Sequence, residues 1–295
     1  MSTVAQILTR AQRQLLSGTI EARNKLASSL TSTATSLTFT YDLQSIREGA
    51  VIQVDSELMY VWEVGSGTKS ATVERGFNGS TASSHSSGAV VTVNPKFPRS
   101  QLFEALSDEL TDLCSPMNGL YQVKSIDFQY NASKRQTNLP ISGDVIDVVE
   151  VRYRYIATDY KQVNGVSLLR NLPTKDFGSG YGLQIDSMIP SSNVRVTYKA
   201  PFNSVSLESD DLQSVAAFPV EAEDIIVMGI QIRAVAPREI KRNFTESQGE
   251  TRRAEEVPVN AIGGSVTNLI RMRRDRITAE AARLNRQYPT IVVRN

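Results

Sequence analysis

The chain from residue 51 to residue 93 begins with VIQVDSELMYVW, continues at residue 71 with ATVERGFNGSTASSH, and ends at residue 89 with AVVTV. Its runs of β-branched and aromatic residues are typical of strands. Glycine and asparagine residues at 65–67 and 78–79 interrupt these runs, as turns between strands do. We therefore predict a small antiparallel β module of three to five strands over residues 49–93.

A second region, between residues 120 and 212, also has strand character. The sequences VEVRYRY at 149–155 and VRVTYK at 194–199 alternate apolar and polar residues. This alternation indicates antiparallel strands that are buried on one face. Loops rich in Asn, Gly, Pro and Ser separate the runs, and we predict a β-sandwich inserted between helices.

Apolar residues at helical spacing predict two helices before the sandwich and two after it. The first pair runs from about residue 4 to 16 and from about residue 100 to 114, and the second pair covers 220–235 and 266–287. The predicted fold class is therefore α+β. It is a helical core with a small antiparallel β module and an inserted β-sandwich, ending in a C-terminal amphipathic helix and an extended tail.

The same patterns predict how the chain divides into domains. Residues 1–118 would hold the N-terminal helices and the small β module, and residues 119–215 the β-sandwich. Residues 216–236 would form a buried core helix. Residues 237–295 would form a mobile linker, a C-terminal docking helix and a tail, because polar residues, Pro and Gly dominate 237–264.

The composition argues against most enzyme mechanisms. The chain has 32 basic and 31 acidic residues, whereas a protein that coats nucleic acid is usually far more basic. With one cysteine, Cys114, and one histidine, His85, the chain can form no internal disulfide, no cysteine zinc site and no His-rich metal site. We interpret Cys114 as a small buried hydrophobe on the second helix. We predict no enzymatic activity and no catalytic residue, cofactor or metal ion.

The histidine lies in the serine-rich loop SSHSSG at 83–88. A Ser–His pair within one loop is not a catalytic triad, because nucleophile and base normally come from separate elements and a third group orients the base. We therefore interpret His85 as a surface or turn-stabilising residue.

The helix predicted over 220–235 is apolar on nearly every side. A helix of this kind is buried, either in the core of its own chain or in a contact between subunits. We predict that four of its residues lie at a subunit interface: Ile225, Ile226, Met228 and Ile230.

The C-terminal region is the most strongly charged part of the chain. Residues 266–295 hold seven arginines and two acidic residues. One interpretation is a solvated helix face. The other is an amphipathic helix that docks on an acidic protein surface, with a short β-prone tail that adds a strand to a neighbouring sheet. The predicted docking residues are Arg271, Arg273, Arg274, Arg276, Arg283, Arg286, Ile291, Val292 and Val293.

The β module carries a resemblance to a known family. Residues 48–61 and 72–85 resemble a β module of tailed-bacteriophage virion proteins, whose signature V-x-R-G-x-x-G-(S/T)-T-A-x-x-H matches residues 73–85. His85 occupies the histidine position of that signature, which is structural. The helical segments, together with 177–182 and 197–202, look similar to phage neck proteins, the head-to-tail adaptors or connectors.

This resemblance implies a structural virion protein at the neck, assembled in the host cytoplasm. Such proteins form a ring, commonly of twelve copies, that docks beneath the portal through a C-terminal segment and lines the DNA channel. The implied partners are other copies of the chain, the portal protein and a tail, tail-terminator or stopper protein. DNA would pass through without sequence-specific binding, and no membrane partner is expected.

Two alternatives stay open. The chain resembles tail components of the same virion as well, so it could be a tail or tail-completion protein. It could also be a carbohydrate- or host-binding β module on the virion surface. That function would require exposed aromatic residues on the sandwich, for which the candidates are Tyr153, Tyr155, Tyr181 and Tyr198.

Overall fold

The computed structural model describes residues 2–66, 69–131, 136–156, 159–247 and 261–290. In these residues the chain forms thirteen strands in three antiparallel sheets and four α-helices. No helix among them is long and apolar enough to cross a membrane. The helices are α1 (Val4–Leu16), α2 (Arg99–Leu113), α3 (Glu223–Ser247) and α4 (Ala261–Gln287). The strands are β1 (Arg23–Lys25), β2 (Ser36–Thr38), β3 (Val51–Val54), β4 (Glu57–Val64), β5 (Ser70–Glu74), β6 (Val90–Val93), β7 (Gln122–Gln129), β8 (Gln136–Asn138), β9 (Asp147–Ile156), β10 (Asp159–Gln162), β11 (Val166–Leu169), β12 (Gly182–Ile185) and β13 (Asn193–Ala200).

The predicted fold class is wrong, because the protein is mostly β and has no helical core with a small β module attached. Two large groups of buried apolar residues lie inside the sheets. The error has a physical cause. A strand such as β1 or β2 is three residues long and shows no periodicity of its own, whereas a helix repeats its apolar residues over several turns.

The chain divides into two compact units. The first comprises Met1–Glu109, Ser206–Asp211 and Glu223–Arg271, and the second comprises Leu110–Val205, Leu212–Ala222 and Met272–Asn295. Each unit has a hydrophobic core of its own. The division therefore cuts across the predicted domains, since each unit gathers separate stretches of the chain.

The first unit contains a six-stranded sheet with the order β1-β6-β3-β4-β5-β2. Its two outer strands meet, because Leu26 forms an antiparallel bridge with Phe39 and the Ala27 N–H donates to the Thr38 carbonyl at 2.8 Å. The sheet thus closes on itself and leaves neither outer strand as a free edge. The apolar side chains that it encloses include Leu37, Ile52, Val54, Met59, Val61, Val73 and Val91.

Helices α1 and α3 pack together in the same unit. The first begins with a capping box, in which Thr3 and Gln6 bond each other's backbone N–H through their side chains. The third continues through Pro237 to Ser247, beyond the predicted end near residue 235. A proline removes one backbone hydrogen bond, and the bonds of the neighbouring turns suffice to carry the helix on.

The second unit contains a four-stranded sheet, β10-β9-β13-β7, and a three-stranded sheet, β11-β12-β8. Strand β13 lies between β7 and β9 and pairs with both. Buried residues from both sheets, such as Val151 and Val196 from one and Val166 and Leu183 from the other, form one core. The two sheets therefore pack face to face.

Candidate functional site

A buried charged cluster lies beside the signature loop in the first unit. Glu57, the first residue of β4, has a fully buried carboxylate. Arg75 donates to it twice, from Nε to Oε1 at 2.7 Å and from Nη2 to Oε2 at 2.8 Å. The backbone N–H groups of Gly76 and Ser83 donate to the same carboxylate at 3.1 and 3.0 Å. Four donors thus compensate one buried negative charge.

His85 is a second side chain that contacts the carboxylate of Glu57. It is 4% exposed, and its Nε2 lies 2.8 Å from Oε2 of Glu57. Its Nδ1 lies 2.8 Å from Oδ2 of Asp55. Each ring nitrogen of His85 therefore faces a carboxylate oxygen, one from Asp55 and one from Glu57. Of the two predicted roles, a surface residue or a turn-stabilising residue, the second agrees with the structure, because His85 is buried and its ring contacts two carboxylates.

Arg75 also joins two loops of the chain that are distant in sequence. Its guanidinium donates to the carbonyls of Thr31 at 2.6 Å, Ala34 at 2.8 Å and Ser83 at 2.6 Å. These carbonyls belong to the loop before β2 and to the signature loop. One side chain therefore fixes both loops against the closed sheet.

The pKa of Glu57 reflects this environment. Burial by itself raises the pKa of a carboxyl group, because it penalises the charged form. The hydrogen bonds from Arg75 and from the other donors outweigh burial and lower the pKa of Glu57 from 4.5 to about 2. The carboxylate therefore stays ionised at every pH at which the protein would normally be handled.

Other signature residues have backbone roles. Gly76 has a φ of +62°, and a Cβ at this position would lie 3.0 Å from the carbonyl oxygen of Ser80. A residue with a side chain would be strained here. The Ser80 hydroxyl accepts the N–H of Leu58 at 2.9 Å. The signature thus specifies a loop conformation and its attachment to β4.

The signature predicted a structural role for His85 but none for Arg75, Asp55 or Glu57. These two acidic residues lie 18 to 30 positions before their partners. The only signal in the sequence is the Asp-x-Glu spacing just ahead of a strand. That spacing gives no indication of which loop will pack against it.

The predicted docking arginines of α4 divide into two groups. Arg271, Arg274, Arg283 and Arg286 are exposed. Arg273 and Arg276 are half-buried and engaged within the second unit. Arg273 lies 2.6 Å from the Asp112 carboxylate, and Arg276 donates to the Glu221 carbonyl at 3.1 Å. These two arginines are therefore committed to contacts within the chain.

The buried face of α4 is narrower than the predicted apolar stripe. Ile277, Glu280 and Leu284 are buried, and Arg283 lies 2.5 Å from the Glu280 carboxylate. Ile270, in the N-terminal half of this helix, is 49% exposed. The N-terminal half of the helix therefore presents apolar and charged side chains to solvent.

The other predicted interface residues lie elsewhere. Ile225, Ile226 and Ile230 are fully buried within the single chain, so they present no surface to a second copy in this conformation. Met228 is half-buried. The tail residues Ile291, Val292 and Val293 lie outside the described residues, as does the part of the predicted linker from 248 to 260.

Cys114 follows directly after α2 and is half-buried. Its sulfur accepts the N–H of Phe202 at 3.1 Å, and burial raises the pKa of the thiol. Among the residues that the structure describes, no group of three or more His, Cys, Asp or Glu side chains is placed to hold a metal ion. The tyrosines proposed for glycan binding differ in exposure, since Tyr155 is exposed but Tyr198 is buried.

We compared the chain with known proteins. No protein-family model matches it, and no curated protein matches it significantly.

Proposed function

We propose that the chain is a structural protein of the tailed-phage neck, which forms a ring that joins the portal to the tail and surrounds the DNA channel. One observation carries the proposal: α4 presents four exposed arginines near the C-terminal end of the chain. Arg271, Arg274 and Arg286 form no ion pair with any residue that the structure describes. Unpaired guanidinium groups suit a partner that offers carboxylates.

The buried cluster around Glu57 supports the same proposal. The residues that carry the resemblance to virion proteins, Arg75, Gly76 and His85, all contact one carboxylate. A signature that serves to hold a loop in shape is typical of a structural module. It fits an assembly function better than catalysis, since the side chains of Arg75 and His85 are both engaged in hydrogen bonds within the chain.

We assign portal binding to the C-terminal half of α4 and the tail that follows. Of the four exposed arginines of α4, Arg283 and Arg286 lie in this half, and Arg283 also pairs with Glu280. The proposal predicts that the purified chain forms a ring of about twelve copies, alone or when mixed with portal rings. Mass photometry or sedimentation velocity of the full chain, with and without portal rings, measures this directly.

The matched variants are Arg283→Glu/Arg286→Glu and, as a control on another helix, Arg10→Glu/Arg13→Glu. The first pair is expected to weaken portal binding at least tenfold, because charge reversal repels a carboxylate surface. The control pair is expected to bind as the wild type does. A chain that never forms a higher oligomer and never binds portal rings would overturn the proposal.

A further inference from the structure

An exposed aromatic patch lies on the outer surface of the closed sheet. Trp62, the only tryptophan of the chain, is 61% exposed. Its ring meets Tyr60 edge-on with 4.8 Å between centroids, and Tyr60 lies 5.4 Å from Phe77. The indole N–H donates to Glu74 at 3.2 Å. We call Tyr60, Trp62, Phe77, Glu63 and Glu74 the Trp62 patch.

A β-bulge brings Trp62 to this position. Along the pair β4–β5, Val61 lies opposite Val73 and Glu63 lies opposite Thr72, so Trp62 is the additional residue. A bulge redirects the side chains around it. Here two consecutive residues, Trp62 and Glu63, are both exposed where regular alternation would turn one of them inward. The enclosed core does not require the bulge, because Met59 and Val61 of the same strand already fill it.

The chemistry of the patch fits an arginine. Tryptophan and tyrosine are the residues that most often dominate the energy of protein interfaces, and their ring faces attract guanidinium groups. Glu63 forms no hydrogen bond or ion pair with any residue that the structure describes. An aromatic surface flanked by two carboxylates therefore recognises a guanidinium group by stacking and by ion pairing.

The same chain supplies such a ligand. Arg271 and Arg274 lie one turn apart on the N-terminal half of α4, exposed and without an ion pair to any described residue. Ile270, four residues before Arg274 and 49% exposed, lies on the same side of the helix. This segment offers one apolar side chain and two cations to a surface of aromatic rings and carboxylates.

We propose that the Trp62 patch of one copy binds the Ile270–Arg274 segment of the next copy, and that this is the contact between neighbours in the ring. The inference rests on the proposed function, since it assigns the interface of that ring. The two surfaces differ, so the contact is head-to-tail and repeats around a closed ring when the rotation allows. Arg283 and Arg286 lie about 14 to 18 Å further along α4 and remain available for the portal.

The single tryptophan makes the contact measurable in the full chain. Emission from Trp62 is expected to shift to shorter wavelength, and quenching by acrylamide to fall, as the protein concentration is raised and the oligomer forms. The variants Trp62→Ala and Arg271→Glu/Arg274→Glu are each expected to raise the midpoint concentration of assembly at least tenfold, measured as mass in solution. The matched controls are Tyr41→Ala, another exposed aromatic residue, and Arg10→Glu, an exposed arginine of α1. Both are expected to assemble as the wild type does.

A charge swap tests the identity of the occupant. Glu63→Arg/Glu74→Arg alone is expected to prevent assembly, and its combination with Arg271→Glu/Arg274→Glu in one chain is expected to restore it. Rings that form with unchanged Trp62 emission overturn this inference and leave the proposed function standing. Failure of the charge swap to restore assembly overturns it too. A chain that remains monomeric up to about 1 mM, where even a weak contact is populated, overturns the inference. If the chain also fails to bind portal rings, the proposed function is overturned as well.

Discussion

At the scale of single residues, Glu57 connects more of the first unit than any sequence motif indicates. Its carboxylate is the common acceptor for Arg75, for His85 and for two backbone N–H groups. Removing the Glu57 carboxylate would leave the buried groups that donate to it without their acceptor. The loss of one partner of a buried ion pair costs more free energy than the intact pair contributes to stability. The contacts of the signature residues Arg75 and His85 therefore depend on Glu57, which lies outside the signature.

Glu57→Gln is expected to lower the free energy of unfolding by about 3 kcal/mol at neutral pH, because Arg75 and His85 lose their anionic partner. Urea unfolding followed by Trp62 emission measures this, since the tryptophan lies on the same sheet. Glu63→Gln, on the same strand but exposed, is the control and is expected to change stability by less than about 0.5 kcal/mol. An equal effect of the two substitutions would contradict the assigned role.

The pH dependence of stability follows from the pKa of Glu57. Because folding lowers this pKa from 4.5 to about 2, the stabilisation is complete above about pH 4.5 and is lost as the pH falls towards 2. The shift corresponds to about 3 kcal/mol. The free energy of unfolding of the wild type should therefore decline more steeply over this range than that of Glu57→Gln. Parallel curves for the two proteins would show that another group is responsible.

At the scale of elements, a glycine allows α2 and α3 to approach each other in the first unit. A Cβ on Gly229 would overlap the carboxyl group of Glu109, which is buried and lies 3.2 Å from Nε of Arg233. The sequence analysis interpreted α3 as a helix that is apolar on nearly every side. It did not predict that position 229 must be a glycine to leave room for the Glu109 carboxylate, which pairs with Arg233.

Gly229→Ala is expected to destabilise the first unit by about 1 to 3 kcal/mol, because the Glu109 carboxylate must leave its place beside Arg233. Gly264→Ala, on α4, is the matched control. Nothing lies within 4 Å of the added Cβ, so this substitution is expected to be neutral or slightly stabilising in a helix. Urea unfolding of both variants measures the difference, and equal stabilities would contradict the close approach.

At the scale of the whole molecule, the distribution of charge separates two kinds of arginine on α4. Arg273 and Arg276 are held by contacts within the second unit, whereas four others are exposed. The chain has nearly equal numbers of basic and acidic residues, so these exposed arginines form a local excess rather than a general one. A local excess favours one docking surface over general binding to nucleic acid.

The proposed binding to portal rings is therefore expected to weaken with salt, by roughly tenfold between about 0.05 M and 0.5 M, because exposed ion pairs are screened. Affinity measured by fluorescence anisotropy over this range gives the salt dependence. Arg283→Gln/Arg286→Gln should bind more weakly at low salt and show a shallower dependence. Affinity that is independent of salt in the wild type would argue against docking through these arginines.

The sequence by itself determined the local elements. The capped helix α1 and the alternating strands β9 and β13 lie where the periodicity of their residues predicts. The signature also identified His85 as a residue with a structural role. These features depend on neighbours within a few residues, and the spacing of apolar and turn-forming residues records them.

Only the tertiary structure decided the fold class and the sites. The closing of the six-stranded sheet depends on two three-residue strands, β1 and β2, which are too short to carry a pattern. The partners of Glu57, the obstruction above Gly229 and the exposure of Trp62 all arise from residues far apart in sequence. Composition and periodicity indicate which local structure a segment prefers. Contacts between residues far apart in the sequence decide which segments pair and which side chains are buried.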